Sequence, residues 1–419
     1  MPRLTTRAVI GIGSFVGFLI VVWLANTSTD PSHPHKTNSK PSTSLRCHRW
    51  ARSLKTGLTP YISNDKTVII TGAAGFIGSH ITRYCVNRLR MTVIAVDDLS
   101  SGYEANIPVS SKVTFVRGDL KNATFVWSLF RGRKIDYVYH LAGYPSRRLS
   151  HFVRSYIYRN NLLASVNLIN AAVKAGVKCF VFTSSVAVYG SSELVVSESS
   201  IPHPQDSYGI AKLSTELELR ATKRVHDLEY VILRLHNVFG PNQNVVDPYR
   251  NVISIFMGQI MRDTPITVLG DGTQKMSFTY IDDIVSLVAR CPLYPAARSH
   301  TFNLGSDNVI DINHVVEVVK SVMKRPNHPV KHVPAQNEGK LAGIDHSKAN
   351  CFFKQTPRME FEVGVSSMAD WFRAVGAERL KRSRLAALKV ETKKNIVSLW
   401  LNEDVSEVDE VDHLARLVA

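Results

Sequence analysis

Three glycines at intervals of three residues follow a short apolar run in the stretch TVIITGAAGFIGSH. Gly72, Gly75 and Gly78 stand where this run predicts a strand that turns directly into a helix. Glycine suits such a turn because the backbone must bend sharply, approach a pyrophosphate closely and pack the helix against the strand. The helix N-terminus then presents free N–H groups to an anion. The stretch therefore predicts a dinucleotide-binding turn.

Short β-branched or aromatic runs alternate with amphipathic stretches from Lys66 onwards. The strand-like runs are TVII, TVIAV, KVTF, DYVYHLA, CFVFTSS and YVILRLHNVFG, and stretches such as FIGSHITRYCVNRL suit helices. Strands separated by helical crossovers indicate a parallel sheet that is buried on both faces. We therefore predict an α/β fold with a Rossmann-type, doubly wound parallel sheet in residues 66–240.

The alternation loosens beyond residue 240. Helix-like segments such as VISIFMGQIM and INHVVEVVKSVM lie among short strand candidates, PITVL and HTFNLG. We predict a smaller mixed region, residues 241–375, which binds substrate at the carboxyl edge of the sheet, where open α/β folds bind their ligands. Residues 376–419 carry a basic stretch and then an acidic end, and we predict a solvated helical tail.

The N-terminus carries an uncharged stretch, AVIGIGSFVGFLIVVWLA, at positions 8–25. Its length of about 18 residues is just enough to span a thin bilayer. A cleaved signal peptide is the alternative, but Trp23 stands where a small residue is needed before a cleavage site. We predict an N-terminal transmembrane helix within residues 1–25 that anchors the chain in the lipid bilayer. Residues 26–65 are rich in Ser, Thr, Pro and Asn, which predicts a flexible stem.

Charges around this span bear on its orientation. Arg3 and Arg7 precede it and favour a cytoplasmic N-terminus. We therefore predict a single-pass type II protein with a lumenal catalytic domain in the Golgi or the endoplasmic reticulum. Lys36 and Lys40 follow the span and weaken this asymmetry, so the cytosolic-facing orientation stays open.

The formal net charge of +16 does not by itself indicate a nucleic-acid partner. The basic residues are scattered, apart from the segment before residue 66 and ERLKRSRLAALK, and no helix combines basic and aromatic residues in a way that reads bases. A sugar nucleotide, a dinucleotide or a membrane surface explains the surplus equally well. We predict no nucleic-acid partner.

The five cysteines are far apart and form no CxxC or Cys/His cluster at zinc spacing. We therefore expect buried or free thiols, no disulfide framework and no metal.

Carboxylates stand at the ends of the next two predicted strands. Asp97, in VIAVDDLSSG, would accept hydrogen bonds from the adenosine ribose hydroxyls and repel a 2′-phosphate, which favours NAD over NADP. Asp98 is the alternative bearer of that role. Asp119, in RGDL, is placed beside the adenine.

Eight motifs occur in order along the chain: TGAAGFIGSH, VDDLSSG, RGDL, HLAG, SSVAVYG, SYGIAK, RLHNVFGP and GDGTQKMSFTYIDD. Together they resemble the extended short-chain dehydrogenase/reductases in the NAD-dependent epimerase/dehydratase branch, and most of all the UDP-glucose/UDP-galactose 4-epimerases. The resemblance covers about residues 66–375. It implies NAD as cofactor, a nucleotide sugar as substrate and a homodimer formed through paired helices.

The resemblance also implies residue roles. Tyr208 and Lys212 match the family's catalytic pair, and Ser185 matches its hydroxyl partner. Asn161 matches an asparagine beneath the site, and Asn237 matches one that contacts substrate. The cofactor-binding residues in the matched motifs are Gly72, Gly75, Phe76, Ile77, Gly78, Asp97, Asp98, Asp119, Leu120, Ala142, Tyr208 and Lys212.

The spacing of Tyr208 and Lys212 has a chemical reason. Residues four positions apart on a helix share one face. Free tyrosine titrates near pH ~10, so only nearby positive charge, from Lys212 and the oxidised nicotinamide, makes its phenolate useful near neutrality. Tyr208 would take the proton from a sugar hydroxyl as hydride leaves for NAD, and Ser185 would hydrogen-bond the same oxygen.

The residues before VYG distinguish reaction types. Relatives that eliminate water or carbon dioxide carry an acidic residue there, as in TDEVYG, where this chain has Val186 and Ala187. Elimination would lack its general acid/base catalyst, so we predict epimerisation at C4.

The segment after GDGTQ departs from the family pattern. Relatives commonly have Arg-Asp-Phe there, whereas this chain has Met276 at the arginine position, and a thioether cannot grip a diphosphate as a guanidinium does. Lys275 and Arg250 are the candidates to replace the missing cation, and we assign Arg250 to substrate binding. Two other functions stay open: a membrane-associated hydroxysteroid or sterol dehydrogenase of the same superfamily, and a non-catalytic NAD-binding scaffold.

Overall fold

A computed structural model of the chain describes residues 66–245, 247, 250–334, 341–354 and 359–381. The predicted membrane anchor and stem, and residues 382–419 of the predicted tail, lie outside these ranges. Among the residues described, no helix is both long enough and apolar enough to cross a membrane.

Strands and helices alternate through the first half of the described chain. The strands are β1 Thr67–Thr71, β2 Thr92–Asp97, β3 Val113–Arg117, β4 Tyr137–His140, β5 Cys179–Ser185, β6 Ser192–Val196, β7 Tyr230–Leu235, β8 Val238–Phe239, β9 Ile266–Leu269, β10 Lys275–Ser277, β11 Thr279–Tyr280, β12 His300–Leu304, β13 Val309–Asp311, β14 Val330–Val333 and β15 Leu341–Ile344. The helices are α1 Phe76–Asn87, α2 Ala123–Phe130, α3 Arg147–Ser150, α4 Arg154–Tyr158, α5 Ala164–Lys174, α6 Ser207–His226, α7 Val252–Met261, α8 Asp282–Arg290, α9 Ile312–Val322, α10 Ser347–Phe353 and α11 Phe361–Lys381. A π-helix, Arg159–Leu163, leads into α5, and a 3-10 turn, Val186–Tyr189, follows β5.

Seven parallel strands form the central sheet in the order β12-β7-β5-β4-β1-β2-β3. The chain moves outward from β1 in one direction through β2 and β3, and in the other direction through β4, β5 and β7. This reversal leaves a crevice at the carboxyl ends of β1 and β4, which is the ligand site of doubly wound sheets. The predicted Rossmann-type fold is confirmed.

The central strands are buried on both faces. Successive side chains of a strand point to opposite faces, so Val68 and Ile70 of β1 join one core cluster and Ile69 joins the other. All three are 0% exposed. Burial on both sides explains why these strands appear in the sequence as continuous apolar runs.

The sheet extends beyond the predicted limit at residue 240. Its seventh strand, β12, comes from the HTFNLG segment and pairs with β7 from His300↔Val231 to Leu304↔Leu235. The remaining strands after residue 240 form two-stranded pairs, such as β10 with β13 and β9 with β14. The substrate-binding role of residues 241–375 stays a prediction, but this range also contributes a strand to the central sheet.

The cysteines differ in part from expectation. Cys85, Cys179 and Cys291 are buried and free. Cys351, in α10, is disulfide-bonded. The expectation of free or buried thiols throughout is therefore wrong for Cys351. Within the described ranges, no group of His, Cys, Asp and Glu side chains is arranged to hold a metal ion.

Candidate active site

A cavity of about 1080 Å³ lies at the carboxyl ends of the central strands. Every residue assigned above to catalysis, cofactor or substrate lines it, and so does Asn161. We call the wall formed by the turn after β1 and the ends of β2 and β3 the cofactor half. The wall that includes Arg250, Met276 and Phe278 is the substrate half.

The glycine turn has no room for side chains. Gly72 has a φ of +69°, and a Cβ there would lie 2.8 Å from the Ala142 nitrogen. A Cβ on Gly78 would lie 2.0 Å from the Gly72 carbonyl oxygen. Gly75 precedes α1 and supplies no side-chain cap, so the N-terminal N–H groups of this helix are available to an anion. These features fit the pyrophosphate of a dinucleotide.

Asp97 is tied to the glycine turn. One carboxylate oxygen accepts a hydrogen bond from the Ala74 N–H at 3.0 Å, and the other accepts one from the Leu99 N–H at 2.8 Å. Burial raises the pKa of Asp97 to about 6, while the Leu99 hydrogen bond opposes this rise. Asp98 accepts a hydrogen bond from the Ser100 N–H at 2.9 Å and also lines the cavity. The ribose-binding role of Asp97 stays a prediction, with Asp98 as its alternative.

The RGDL segment closes this end of the cavity. Asp119 forms an ion pair of 3.0 Å with Lys121, whose ammonium also donates to the Asn160 side chain at 2.9 Å. Leu120 is buried, and its carbonyl accepts a hydrogen bond from Asn167 at 2.9 Å. Leu120 is thus held by α5, whereas Asp119 pairs with a lysine of its own loop.

Tyr208 and Lys212 lie one turn apart near the start of α6. The helix is capped by Asp206, whose carboxylate accepts a hydrogen bond from the Gly209 N–H at 2.8 Å. Ser185, which ends β5, lines the same cavity as Tyr208, and its hydroxyl acts to lower the pKa of Tyr208. The Lys212 ammonium donates to the Thr183 carbonyl at 2.8 Å and lies 5.7 Å from the centroid of the Tyr208 ring. The structure therefore brings the three predicted catalytic residues together.

Burial dominates the titration of this pair. It raises the pKa of Tyr208 to about 12, against the hydrogen bond from Ser185, which lowers it. Burial also lowers the pKa of Lys212 to about 7, and the negative charge of Glu216 opposes that change. Burial disfavours the ionised phenolate of Tyr208 and the protonated ammonium of Lys212. Small changes in nearby charge therefore control the protonation of both groups.

Asn161 lies within the π-helix and is 1% exposed. Its side chain accepts a hydrogen bond from the Tyr144 N–H at 3.1 Å and donates to the Ile157 carbonyl at 3.0 Å. A Cβ on Gly143 would lie 2.6 Å from the Asn161 side-chain oxygen. Asn161 thus holds the segment after β4 in place while it lines the cavity.

Arg250 is paired inside the cavity wall. Its guanidinium lies 2.8 Å from the Asp247 carboxylate and stacks 4.8 Å above the centroid of the Tyr144 ring. The Tyr144 hydroxyl donates to Asp247 at 3.2 Å. Sequence reasoning missed Asp247 and Tyr144. The sequence signal for this pair was the three-residue spacing of Asp247 and Arg250.

The alternation of side chains along β10 determines which residues near the family's arginine position face the cavity. Met276 lines the cavity, together with Gln274 and Phe278, because alternate residues face the same side of a strand. Lys275 is exposed and lies on the opposite side. The expectation that Lys275 replaces the missing arginine is therefore wrong, because its side chain does not face the cavity.

Asn237 lines the cavity but donates its amide to the Ser277 carbonyl at 3.0 Å, so it also anchors β10.

A further cation was missed in the sequence. Arg147, in the RRLSH segment that follows HLAG, lines the cavity and pairs with the Asp206 carboxylate at 3.0 Å. The adjacent Arg148 also lines the cavity. Two successive arginines after a predicted strand end were the signal for a cationic wall.

Comparison with known proteins agrees with this geometry. The sequence model of the NAD dependent epimerase/dehydratase family matches residues 68–305. A Bacillus subtilis protein described as an uncharacterized UDP-glucose epimerase is 30% identical over 309 residues, which are 72% of this chain and 96% of the relative.

Two solved structures are similar along most of their length. The UDP-glucose 4-epimerase of Thermotoga maritima with UDP-glucose has a TM-score of 0.66 and 31% identity, and the alignment covers 74% of this chain and 99% of that one. The UDP-glucuronic acid 4-epimerase of Bacillus cereus, in complex with UDP-glucuronic acid and NAD, has a TM-score of 0.67 and 27% identity, with the same coverage.

The doubly wound sheet, the glycine turn and the Tyr208–Lys212 pair define an extended short-chain dehydrogenase/reductase. NAD is its cofactor, and the cradle at Gly72, Gly75 and Gly78 fits the pyrophosphate of that dinucleotide. The chain belongs to the NAD-dependent epimerase/dehydratase family, whose matching members are nucleotide-sugar enzymes.

Proposed function

We propose that this protein epimerises a nucleotide sugar at C4 by transient oxidation to a 4-keto intermediate. UDP-glucose/UDP-galactose is the first substrate choice and UDP-glucuronate is the second. The observation that carries the proposal is that Ser185, Tyr208 and Lys212, the last two one helical turn apart, line the same cavity as the glycine turn.

The residues divide the proton chemistry between them. The Tyr208 phenolate accepts the proton of the 4-hydroxyl, and Ser185 donates a hydrogen bond to the same oxygen. Lys212 supports the phenolate by its charge. NAD, held at the glycine turn, would supply reversible hydride transfer. After the keto sugar presents its other face, Tyr208 gives the proton back, so no external reductant is consumed.

The wall beside Ser185 supports epimerisation over elimination. Val186 and Ala187 are both buried in the 3-10 turn after β5. Neither has an ionisable side chain, so this position offers no general acid or base for the loss of water or carbon dioxide.

The substrate half supports a nucleotide sugar. Arg250 and Arg147 bring guanidinium groups to the cavity wall, and guanidinium is suited to phosphate oxygens. Phe278, Met276 and Ile312 supply apolar surface beside them. The similar Thermotoga maritima and Bacillus cereus structures hold UDP-glucose and UDP-glucuronic acid, respectively.

A substrate panel tests the proposal. The full-length protein is incubated with NAD and with UDP-glucose, UDP-galactose, UDP-glucuronate and UDP-galacturonate, and the products are separated by chromatography. We expect conversion between C4 epimers without net formation of NADH. The Tyr208→Phe variant is the matched control. Bound NAD without any conversion would favour a scaffold, and sustained NADH formation with a sterol would favour a hydroxysteroid dehydrogenase.

We also propose that the catalytic part is lumenal and anchored by residues 8–25. The disulfide bond at Cys351 supports this location, because disulfides persist in oxidising compartments. Asn122, in the acceptor sequence NAT, is exposed at the start of α2. A loss of mass on glycosidase treatment that is absent in Asn122→Gln would support lumenal topology. Cysteines introduced near Asn122 test the alternative. If a membrane-impermeant reagent labels them only from the cytosolic side, lumenal topology is contradicted.

We propose a homodimer as the assembled form. Ile210 and Leu217 are exposed, apolar and seven residues apart on α6, and Leu163 is exposed at the end of the neighbouring π-helix. Burial of this face against a second copy would remove apolar surface from water. Light scattering that gives twice the chain mass, reduced by Leu217→Glu, is the expected result; a monomer at all concentrations would contradict it.

A further inference from the structure

Glu216 lies on the catalytic helix, four residues beyond Lys212 and eight beyond Tyr208. It is 0% exposed. Residues at this spacing share one face of a helix. Glu216 belongs to no motif that the proposed function uses, and its buried carboxylate lies directly behind the catalytic pair.

The carboxylate of Glu216 is bound from two strands and from its own helix. One oxygen accepts hydrogen bonds from the Ser184 hydroxyl at 2.6 Å and from the Arg234 Nε at 2.9 Å. The other accepts from Arg234 Nη2 at 2.6 Å and from Arg220 Nη2 at 3.1 Å. Such a bidentate, charge-assisted arrangement is geometrically demanding. Both oxygens are therefore held in fixed directions.

The two strands are neighbours in register. Ser184 of β5 pairs with Arg234 of β7, and the next pair is Ser185 with Leu235. Ser184 directly precedes the hydroxyl partner of Tyr208. Glu216 thus connects α6, which carries Tyr208 and Lys212, to the strand end that carries Ser185.

The charged and titratable groups near this contact include Arg234, His140 and Lys212. Arg234 is 1% exposed and its guanidinium stacks 4.7 Å from the centroid of the Tyr189 ring. Burial lowers the pKa of His140, on β4, to about 3, and the nearby charge of Lys212 also lowers it. His140 therefore stays neutral near physiological pH. Glu216 is the group whose charge raises the pKa of Lys212.

We propose that Glu216 is a positioning residue for hydride transfer: through Ser184 and Arg234 it fixes the distance between the Tyr208–Lys212 helix and the Ser185 strand end. The inference rests on the proposed function for its kinetic readout. A carboxylate at this point serves two purposes, since its reach sets the geometry and its charge acts on Lys212.

Two substitutions separate reach from charge. Glu216→Asp keeps the charge but is one methylene shorter, and Glu216→Gln keeps the length but is neutral. For Glu216→Asp we expect kcat to fall by about tenfold or more, because small displacements of reacting groups are costly. KM and the alkaline limb of the pH profile stay as in the wild type. For Glu216→Gln we expect a lower kcat and an alkaline limb shifted to lower pH, because Lys212 loses its proton more easily.

Controls address folding. Glu216→Gln leaves Arg234 without its buried counterion and is the variant most at risk of unfolding. Ser184→Ala removes one link without changing charge, so it carries the geometric test if Glu216→Gln does not fold; its kcat is expected to fall at unchanged NAD affinity. Lys223→Ala on the same helix breaks only ion pairs with Asp227 and Glu229 and leaves kcat unchanged.

A second readout does not depend on the sugar. The pH titration of the Lys212 side chain is followed by NMR in protein labelled at lysine Cε, with the signal assigned by its absence in Lys212→Met. A shift to lower pH in Glu216→Gln but not in Glu216→Asp supports the charge contribution, even if no sugar of the panel is converted. Displacement of the reacting groups is expected to lower kcat. If kcat per folded molecule stays within about twofold of the wild-type value in both Glu216→Asp and Ser184→Ala, the positioning role is overturned. An unmoved Lys212 titration in Glu216→Gln overturns the charge contribution.

Discussion

The cofactor half and the substrate half of the cavity are built in different ways. The cofactor half consists of one turn and the ends of consecutive strands, where Gly72 and Gly78 leave no space for a Cβ. The substrate half is assembled from a loop and from short strands after residue 240, and its cation, Arg250, is already paired with Asp247. Backbone shape determines the first half, whereas side-chain pairing determines the second.

This contrast explains where the chain departs from its family. A glycine turn has few alternatives, because a side chain there collides with the backbone, so the motif is kept in full. A cation in a side-chain wall is replaceable by another at a different position. Met276 stands where the arginine is expected, and Arg250 and Arg147 face the same cavity. The halves therefore tolerate change to different degrees.

The largest effect is expected where the two halves meet. Tyr208→Phe removes the group that accepts the substrate proton and should lower kcat by about 10²–10⁴-fold. NAD should remain bound, as measured by calorimetry, because the glycine turn and Asp97 are intact. Unchanged turnover would remove Tyr208 from the mechanism.

Gly78→Ala should break the cofactor half. The new Cβ would lie 2.0 Å from the Gly72 carbonyl, so the turn must shift. We expect destabilisation of about 1–3 kcal/mol and up to about a hundredfold weaker NAD binding. Gly132→Ala is the control, because that glycine also has a positive φ, +68°, but a Cβ there meets nothing within 4 Å. Equal loss of NAD affinity in both variants would contradict a specific role for the turn.

Met276→Arg should strengthen nucleotide-sugar binding in the substrate half. It restores a guanidinium on the cavity side of β10, and one charge-assisted hydrogen bond to a diphosphate is worth about 1.5 kcal/mol. The KM for the nucleotide sugar should fall about tenfold, while NAD affinity is unchanged. Lys275→Ala, on the other side of the strand, should change neither. An unchanged KM in Met276→Arg would show that Arg250 and Arg147 already satisfy the diphosphate.

The smallest effect concerns Asp97. Burial raises its pKa to about 6, above the ordinary range of a carboxyl group, so the side chain takes up a proton as pH falls through that value. The neutral form is a weaker acceptor for ribose hydroxyls. NAD affinity, measured by titration calorimetry, should fall by about threefold to fivefold between pH 7.5 and pH 5. Asp97→Asn should bind weakly without this pH dependence; a wild-type affinity that is flat over this range would favour Asp98.

Sequence reasoning found the central sheet because its strands are apolar on both faces. The segments β8 and β11, Val238–Phe239 and Thr279–Tyr280, are too short to give a periodic pattern, and only their pairing with each other defines them. The strand His300–Leu304 was visible as a strand, but its place beside β7 depends on contacts between distant parts of the chain.

The site shows the same division. Tyr208, Lys212 and Glu216 occur at four-residue spacing, so their common helix face is a local property. The partners Ser184 and Arg234 are brought to Glu216 only by the pairing of β5 with β7. A charged residue in the apolar run YVILRL was the signal that Arg234 needed a buried partner, but the sequence does not name that partner.

The sequence by itself determined the doubly wound fold, the NAD-binding turn and the Tyr208–Lys212 spacing, because each depends on neighbours within one strand, turn or helix. Only the tertiary structure decided that Met276 and not Lys275 faces the cavity, that Arg250 is paired with Asp247, and that Glu216 connects the catalytic helix to two strands. These depend on which side chains meet across the cavity. Such meetings follow from strand register and packing between segments far apart in the chain, which local pattern does not specify.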